Sequence, residues 1–279
     1  MRRPLQSLLV KGLLYLVLLG YLAYLVFPML WMVSTSLKST REIYTAAPSL
    51  IPETLTLDHY AAVFRDTGLV QSMTNSLVVG VVSTATVLVI ALPAAYALAR
   101  FKTAVNKGVM GWILASQVFP AILLLVPLYV ILRRLLLTDS LVGLCVVYTV
   151  WNLPFVLWML QGYIRDIPIE LEEAAAIDGA GRGQVIFLVL MPLLLPALGA
   201  SALFAFISAW NEFFFALVLL KSPDLLTLPI ELATYTGMEG QARTGPLAAA
   251  SFVATVPSLL MFGVLRKAFT SGLVVGAVK

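Results

Sequence analysis

The sequence predicts an all-α, polytopic membrane protein with six transmembrane helices, and three observations lead there. Of 279 residues, 61% are hydrophobic and 11% charged, where soluble domains carry about 25% charged residues. Mean hydropathy is +0.98. Six apolar runs are each long enough to cross a hydrocarbon core of about 30 Å. A soluble domain of this length needs a core, but not repeated runs of that kind.

The first run, Gly12–Ser34, follows Met1-Arg2-Arg3 and Lys11. It is longer than the apolar stretch of a signal peptide and lacks a small-residue cleavage site, so a retained span is expected. The others are Met73–Ala99, Gly108–Leu132, Leu141–Gln161, Gln184–Ala209 and Leu247–Leu265. The patch Phe213–Leu220 is too short to span and is expected to extend the fifth helix or lie at the interface. Pro93, Pro120, Pro127, Pro154, Pro192, Pro196 and Pro257 fall inside the runs. Membrane helices tolerate proline where neighbours re-satisfy the backbone; kinks lining a changing pathway are the alternative reading.

Basic residues set the orientation. With the N-terminus inside, 11 of the 18 lysines and arginines fall on the inner side and 7 on the outer, as the positive-inside rule requires. Both termini are then cytoplasmic. Arg133 and Arg134 run against the trend, at a helix end where long cationic chains can snorkel. The whole of 1–279 reads as one transmembrane domain, with outer loops at about 35–72 and 210–246 and an inner loop at about 162–183.

The net charge of +4 reflects this sidedness and does not imply nucleic acid. One cysteine, Cys145, and one histidine, His59, allow neither an intrachain disulfide nor a Cys/His metal cluster. No catalytic constellation and no metal site are expected. Gly179-Ala180-Gly181-Arg182-Gly183 lacks the lysine and hydroxyl of a phosphate-binding loop and follows no strand. No phosphate-binding loop is therefore expected in this chain, and the protein is not expected to be an enzyme. Charges cluster at span ends, which argues against a secondary transporter with ionisable groups at mid-membrane.

The inner loop is the informative one. Pro168 can open a helix. Glu170, Glu172 and Glu173 fall early in it, where carboxylates meet the positive end of the dipole. Ala174, Ala175 and Ala176 favour helix, and Gly179 and Gly181 offer a turn. The expectation is a helix of about ten residues, then a break, then the fifth span. It is either a solvated linker or an acidic, small-faced handle for a soluble partner.

The run Glu173-Ala174-Ala175-Ala176-Ile177-Asp178-Gly179-Ala180, with Phe187, Pro192 and Pro196 behind it, closely resembles the EAA loop of binding-protein-dependent ABC importer permeases. Ser36-Leu37-Lys38, Asn75-Ser76, Ala94 to Arg100, Trp210-Asn211-Glu212-Phe213 and Ser271–Lys279 resemble the same family. The likeness covers essentially the whole chain and points to the carbohydrate branch, similar to the MalG-type subunits of maltose and trehalose importers.

The resemblance implies a type I permease fold. It also implies a second, MalF-like permease subunit, two copies of a MalK-like cytoplasmic ATPase that holds ATP and Mg, and a periplasmic or lipid-anchored sugar-binding protein. The solute would be a sugar such as maltose or trehalose; a same-fold permease for a polyol or glycerol phosphate is the alternative. ATPase coupling would fall to Glu170, Glu173, Ala174, Ala175, Asp178 and Gly179, with Glu173 making a salt contact. The outer segment with Tyr235, Gly237, Glu239 and Gly240 resembles a loop that reaches into the opened binding protein and expels its sugar. Polar groups on or near the spans, Asn75, Gln117, Asn152, Trp210, Asn211 and Glu212, are pathway candidates by chemistry. Helix–helix bonding is the competing role for each.

Overall fold

The structure, a computed structural model, describes residues 2–45, 49–65, 67–101, 103–237 and 243–276. In chain order the helices are α1 (Arg2–Ser36), α2 (Thr40–Ile43), α3 (Asp58–Arg65), α4 (Thr67–Arg100), α5 (Ala104–Ser116), α6 (Ala121–Arg134), α7 (Leu141–Asp166), α8 (Glu170–Ile177) and α9 (Arg182–Gln184). A π-helical stretch, Val185–Leu190, then leads into α10 (Met191–Trp210), α11 (Phe214–Leu219), α12 (Leu228–Thr234) and α13 (Thr244–Gly276). No strand occurs among the described residues.

Among the described residues, five segments are long and apolar enough to cross a membrane: Val10–Ser36, Gly68–Arg100, Leu141–Asp166, Arg182–Trp210 and Thr244–Val264. They match five of the six predicted spans. The third, Gly108–Leu132, is not one helix. It breaks between Ser116 and Ala121, at the turn Gln117-Val118-Phe119-Pro120. Pro120 has no N–H to continue the ladder and disfavours helix in the residue before it. Hydropathy alone cannot see such a break. Phe213–Leu220 does not extend the fifth helix either; the chain leaves helix at Asn211 and re-enters as α11.

Pro93, Pro127, Pro154, Pro196 and Pro257 lie inside continuous helices. Pro192 does more. An α ladder would need its missing N–H, and its ring would press on the carbonyl of Leu188. The helix widens just ahead of it, and the N–H of Met191 reaches back to the carbonyl of Ile186, one residue further than an α bond.

The chain divides into two compact units. The first comprises Met1–Leu69 and Leu232–Thr255. Here α1 exposes its apolar residues on all sides, from Val10 to Leu30. Past its end the chain packs tightly. Lys38 is buried, donates to the carbonyl of Ser49 and lies 5.1 Å over the Trp31 ring. Ser36 shares a 2.8 Å hydrogen bond with Tyr60, whose ring meets Phe252 edge-on. His59, on α3, is buried. Its imidazole occupies the space a side chain on Gly245 would need, with Nε2 only 2.2 Å from the position of a Cβ there.

The second unit, Val70–Glu231 with Val256–Lys279, holds two apolar clusters. One gathers Val79, Leu125, Leu132, Leu144, Tyr148, Phe215 and Leu219. The other gathers Val87, Ala91, Ala95, Val156, Leu160, Ile164, Leu190 and Leu194. The repeats at 87, 91 and 95 and at 156, 160 and 164 are the four-residue spacing of one helix face. Gly80 permits a close approach: a Cβ there would stand 3.0 Å from the Phe206 ring. Small residues at such crossings are how membrane helices gain packing energy, since lipid is as apolar as leucine.

Candidate functional site

The acidic inner-loop helix forms as α8, Glu170–Ile177, shorter than expected. Pro168 stands just ahead of its N-cap, Ile169, rather than inside its first turn. Its end is fully specified. Asp178 is the C-cap, and Gly179 adopts φ +86°, the left-handed region that glycine enters at no steric cost. The N–H of Ala180 bonds the carbonyl of Ala175 at 2.9 Å, and that of Gly179 bonds Ala176 at 3.1 Å. These two bonds make a complete Schellman motif. The chain then restarts at once: Gln184 accepts from the N–H of Gly181 at 2.8 Å and opens α9.

Exposure sorts the residues of α8. Glu170, Glu173, Ala174 and Ile177 are exposed and, at positions i, i+3, i+4 and i+7, share one face. Ile177 is 86% exposed. Ala175 is half-buried and turns the other way. Glu172 is buried. It accepts from the Nε of Arg100 at 2.5 Å and from the hydroxyl of Tyr96 at 2.9 Å. Both donors belong to the last turns of α4. Arg100 also donates through Nη2 to the carbonyl of Ile167 at 3.0 Å, just before α8. In the sequence alone Glu172 is one acid among several. The Tyr96–Arg100 spacing of one helical turn was the signal available.

A cleft of about 1090 Å³ opens beside this anchor. Its walls include Arg100, Thr103, Asn106, Arg165, Asp166 and Glu170.

The pathway candidates separate. Asn75 is buried and donates to the carbonyls of Asp224 and Leu226 at 2.8 and 2.9 Å. Ser76 accepts from the N–H of Leu228. Asn152 is buried and bonds the carbonyl of Tyr148 one turn back. Trp210 is buried and stacks on Phe206 at 5.7 Å. Glu212 accepts from the Tyr148 hydroxyl at 2.8 Å and from the N–H groups of Phe215 and Ala216 that open α11. Gln117, in the broken third run, and Asn211, after α10, are exposed.

On the loops predicted to be outer, Asp139 has φ 51° and accepts from the N–H of Lys221, the N–H of Ser222 and the Ser222 hydroxyl. Those bonds, led by the Ser222 hydroxyl, hold its carboxyl below the ordinary aspartate range. In the first unit Tyr235 is buried, its carbonyl accepts from the N–H of Arg243 at 2.9 Å, and the Arg243 guanidinium lies 5.6 Å over its ring. Gly237 takes φ +65°. Glu239 and Gly240 lie outside the described residues.

Residues 69–269 match the family model for the binding-protein-dependent transport system inner membrane component. This protein belongs to that family. An ABC transporter permease protein of Streptomyces antibioticus, ORF1, is 51% identical over 229 residues, 82% of this chain and 100% of that protein. The trehalose transport system permease protein SugB of Mycobacterium tuberculosis is 35% identical over 257 residues, 92% of this chain and 93% of that one. A solved bacterial ABC transporter involved in the import of the acidic polysaccharide alginate superposes with TM-score 0.82 at 25% identity, covering 94% of this chain and 97% of that one. The fold is thus the type I ABC importer permease fold, and the family's role is that of a membrane component, not of an ATPase. Among the described residues of this permease, no three His, Cys, Asp or Glu side chains gather into a metal-binding group.

Proposed function

We propose that this permease subunit forms half of the membrane pathway of an ATP-driven sugar importer and is driven through α8. One observation carries the reading: Glu170, Glu173, Ala174 and Ile177 point away from the chain on a helix pinned from its other side. The small side chain of Ala174 suits a close-fitting cleft, and the two carboxylates suit basic residues in it. The occupant is an ATPase subunit, two copies per transporter, which hold the ATP and Mg. A second permease completes the pathway, and an extracytoplasmic binding protein delivers the solute.

The sugar assignment is supported by the trehalose permease and the alginate importer among the relatives. The α5–α6 pair supplies the sixth crossing. At 13 and 14 residues they measure about 20 Å and about 21 Å, each too short for the hydrocarbon core and together sufficient. Of the polar pathway candidates, Gln117 and Asn211 keep surfaces free to meet a solute. The outer segment that carries Tyr235 and Gly237 engages the binding protein.

Glu173→Lys tests the reading. Capture of the ATPase by the detergent-solubilised complex should fall at least tenfold, equivalent to about 1.4 kcal/mol, while the subunit still inserts. Native capture by the variant would overturn it. Uptake of labelled trehalose, maltose and a polyol series by cells lacking and regaining the chain tests the solute class.

A further inference from the structure

We propose that Glu172 is a positioning residue for coupling: with Arg100 and Tyr96 it latches α8 to α4, so that a displacement of α8 enters α4 directly. This inference rests on reading α8 as the ATPase-docking helix. Along the chain α8 is continuous with α7 on one side and with α9 and α10 on the other. Nothing covalent nearby ties it to α4, whose last turn lies about seventy positions earlier. The Glu172 carboxylate makes that tie with both oxygens, one to Arg100 Nε and one to the Tyr96 hydroxyl. Arg100 adds a third bond to Ile167, the residue from which the chain turns into α8.

The chemistry suits a mechanical joint. Both side chains of the ion pair are 10% exposed, so salt screens it weakly. Charge-assisted hydrogen bonds fix direction as well as distance, which an apolar contact that can slide does not. Neutralising one partner leaves the other charge poorly solvated. Adjacent glutamates therefore divide the work: Glu173 faces outward to the partner and Glu172 faces inward to the span.

The test uses the assembled transporter in lipid nanodiscs, with Cys145 replaced by Ser and spin labels at Phe101 and Ala176, both exposed. In the parent complex the interlabel distance distribution stays narrow and does not shift between the nucleotide-free and vanadate-trapped states. In Glu172→Gln the distribution broadens and shifts on trapping, while ATPase capture and ATP hydrolysis persist. Arg100→Glu and Glu172→Arg behave alike, and the combined swap restores the narrow distribution. A narrow, unshifted distribution in Glu172→Gln would overturn the latch. So would variants that lose ATPase capture in step with their loss from the membrane and are not rescued by the swap, since the pair would then only fold the helix. Failure of the docking reading is a separate result: Glu173→Lys would then leave ATPase capture unchanged.

Discussion

Tyr148, in the first third of α7, donates its hydroxyl to Glu212 at 2.8 Å, and the same carboxylate accepts two N–H groups in the first turn of α11. One acid thus fixes the break after α10 and joins it to a neighbouring helix. Glu212→Gln keeps the shape but replaces one acceptor oxygen with a donor. It should cost about 1–3 kcal/mol, read as a lower midpoint of thermal unfolding in detergent. Tyr148→Phe should cost less, because the carboxylate keeps its two backbone donors.

Asp139 should add an acid-dependent part to the stability of the fold. Its folded-state pKa is lowered, chiefly by the Ser222 hydroxyl and then by the N–H groups of Ser222 and Lys221. A lowered carboxyl pKa gives stability that is present above the unfolded value, near 4, and is lost as pH falls through the folded value. Melting temperatures taken from pH 7 to pH 3 should decline over that window. Asp139→Asn should remove part of the decline, and Ser222→Ala should move it toward higher pH.

Gly179 is required by its backbone and not by space. A side chain there would meet nothing within 4 Å, yet φ is +86°. Gly179→Ala should cost about 1–2 kcal/mol, and Gly179→Val more, since branching at Cβ worsens the strain. Both should loosen the α8–α9 turn, visible as faster amide exchange at Ala180. Gly181→Ala, with ordinary backbone angles, is the control and should change little.

Gly80→Leu drives a branched chain into the Phe206 ring, which a Cβ alone would approach to 3.0 Å. Overpacking of this kind costs about 1–3 kcal/mol. Phe206→Ala should partly rescue the double variant in a thermal melt, because it vacates the contested volume.

In a Cys145→Ser background, Thr54→Cys should react with a membrane-impermeant maleimide added outside intact cells. Gly183→Cys should react only after the membrane is opened. Outside labelling at 183 would invert the orientation that the basic residues predict.

The spans were legible because a bilayer demands long apolar runs, and five of them coincide with continuous helices. The break at 117–120 was not, since hydropathy averages over Pro120 without registering the ladder it interrupts. The short acidic helix α8 was legible up to Gly179, where helix-forming residues and a glycine able to turn speak locally. Which of Glu172 and Glu173 faces inward was not, because that depends on where Tyr96 and Arg100 arrive from α4. For the same reason Asn75 reads as a polar pathway residue in sequence and as a clamp on Asp224 and Leu226 in the structure. A sequence shows that a polar group is present in a span, but not which carbonyls will be near it.

The π-helical stretch at Val185–Leu190 has a consequence for phase. Each residue of an α-helix advances the direction of its side chain by about 100°, and a π-turn takes up one residue without completing the matching advance. A helical wheel drawn forward from Arg182 therefore assigns the residues of α10 to the wrong faces. Leu194 and Ala197 would be mislaid, although both are buried in the structure. Removing one residue between 185 and 190 would let the wider turn close, and everything beyond it would have to rotate or shift to keep its contacts. This short segment, lying directly ahead of Pro192, sets which way α10 faces.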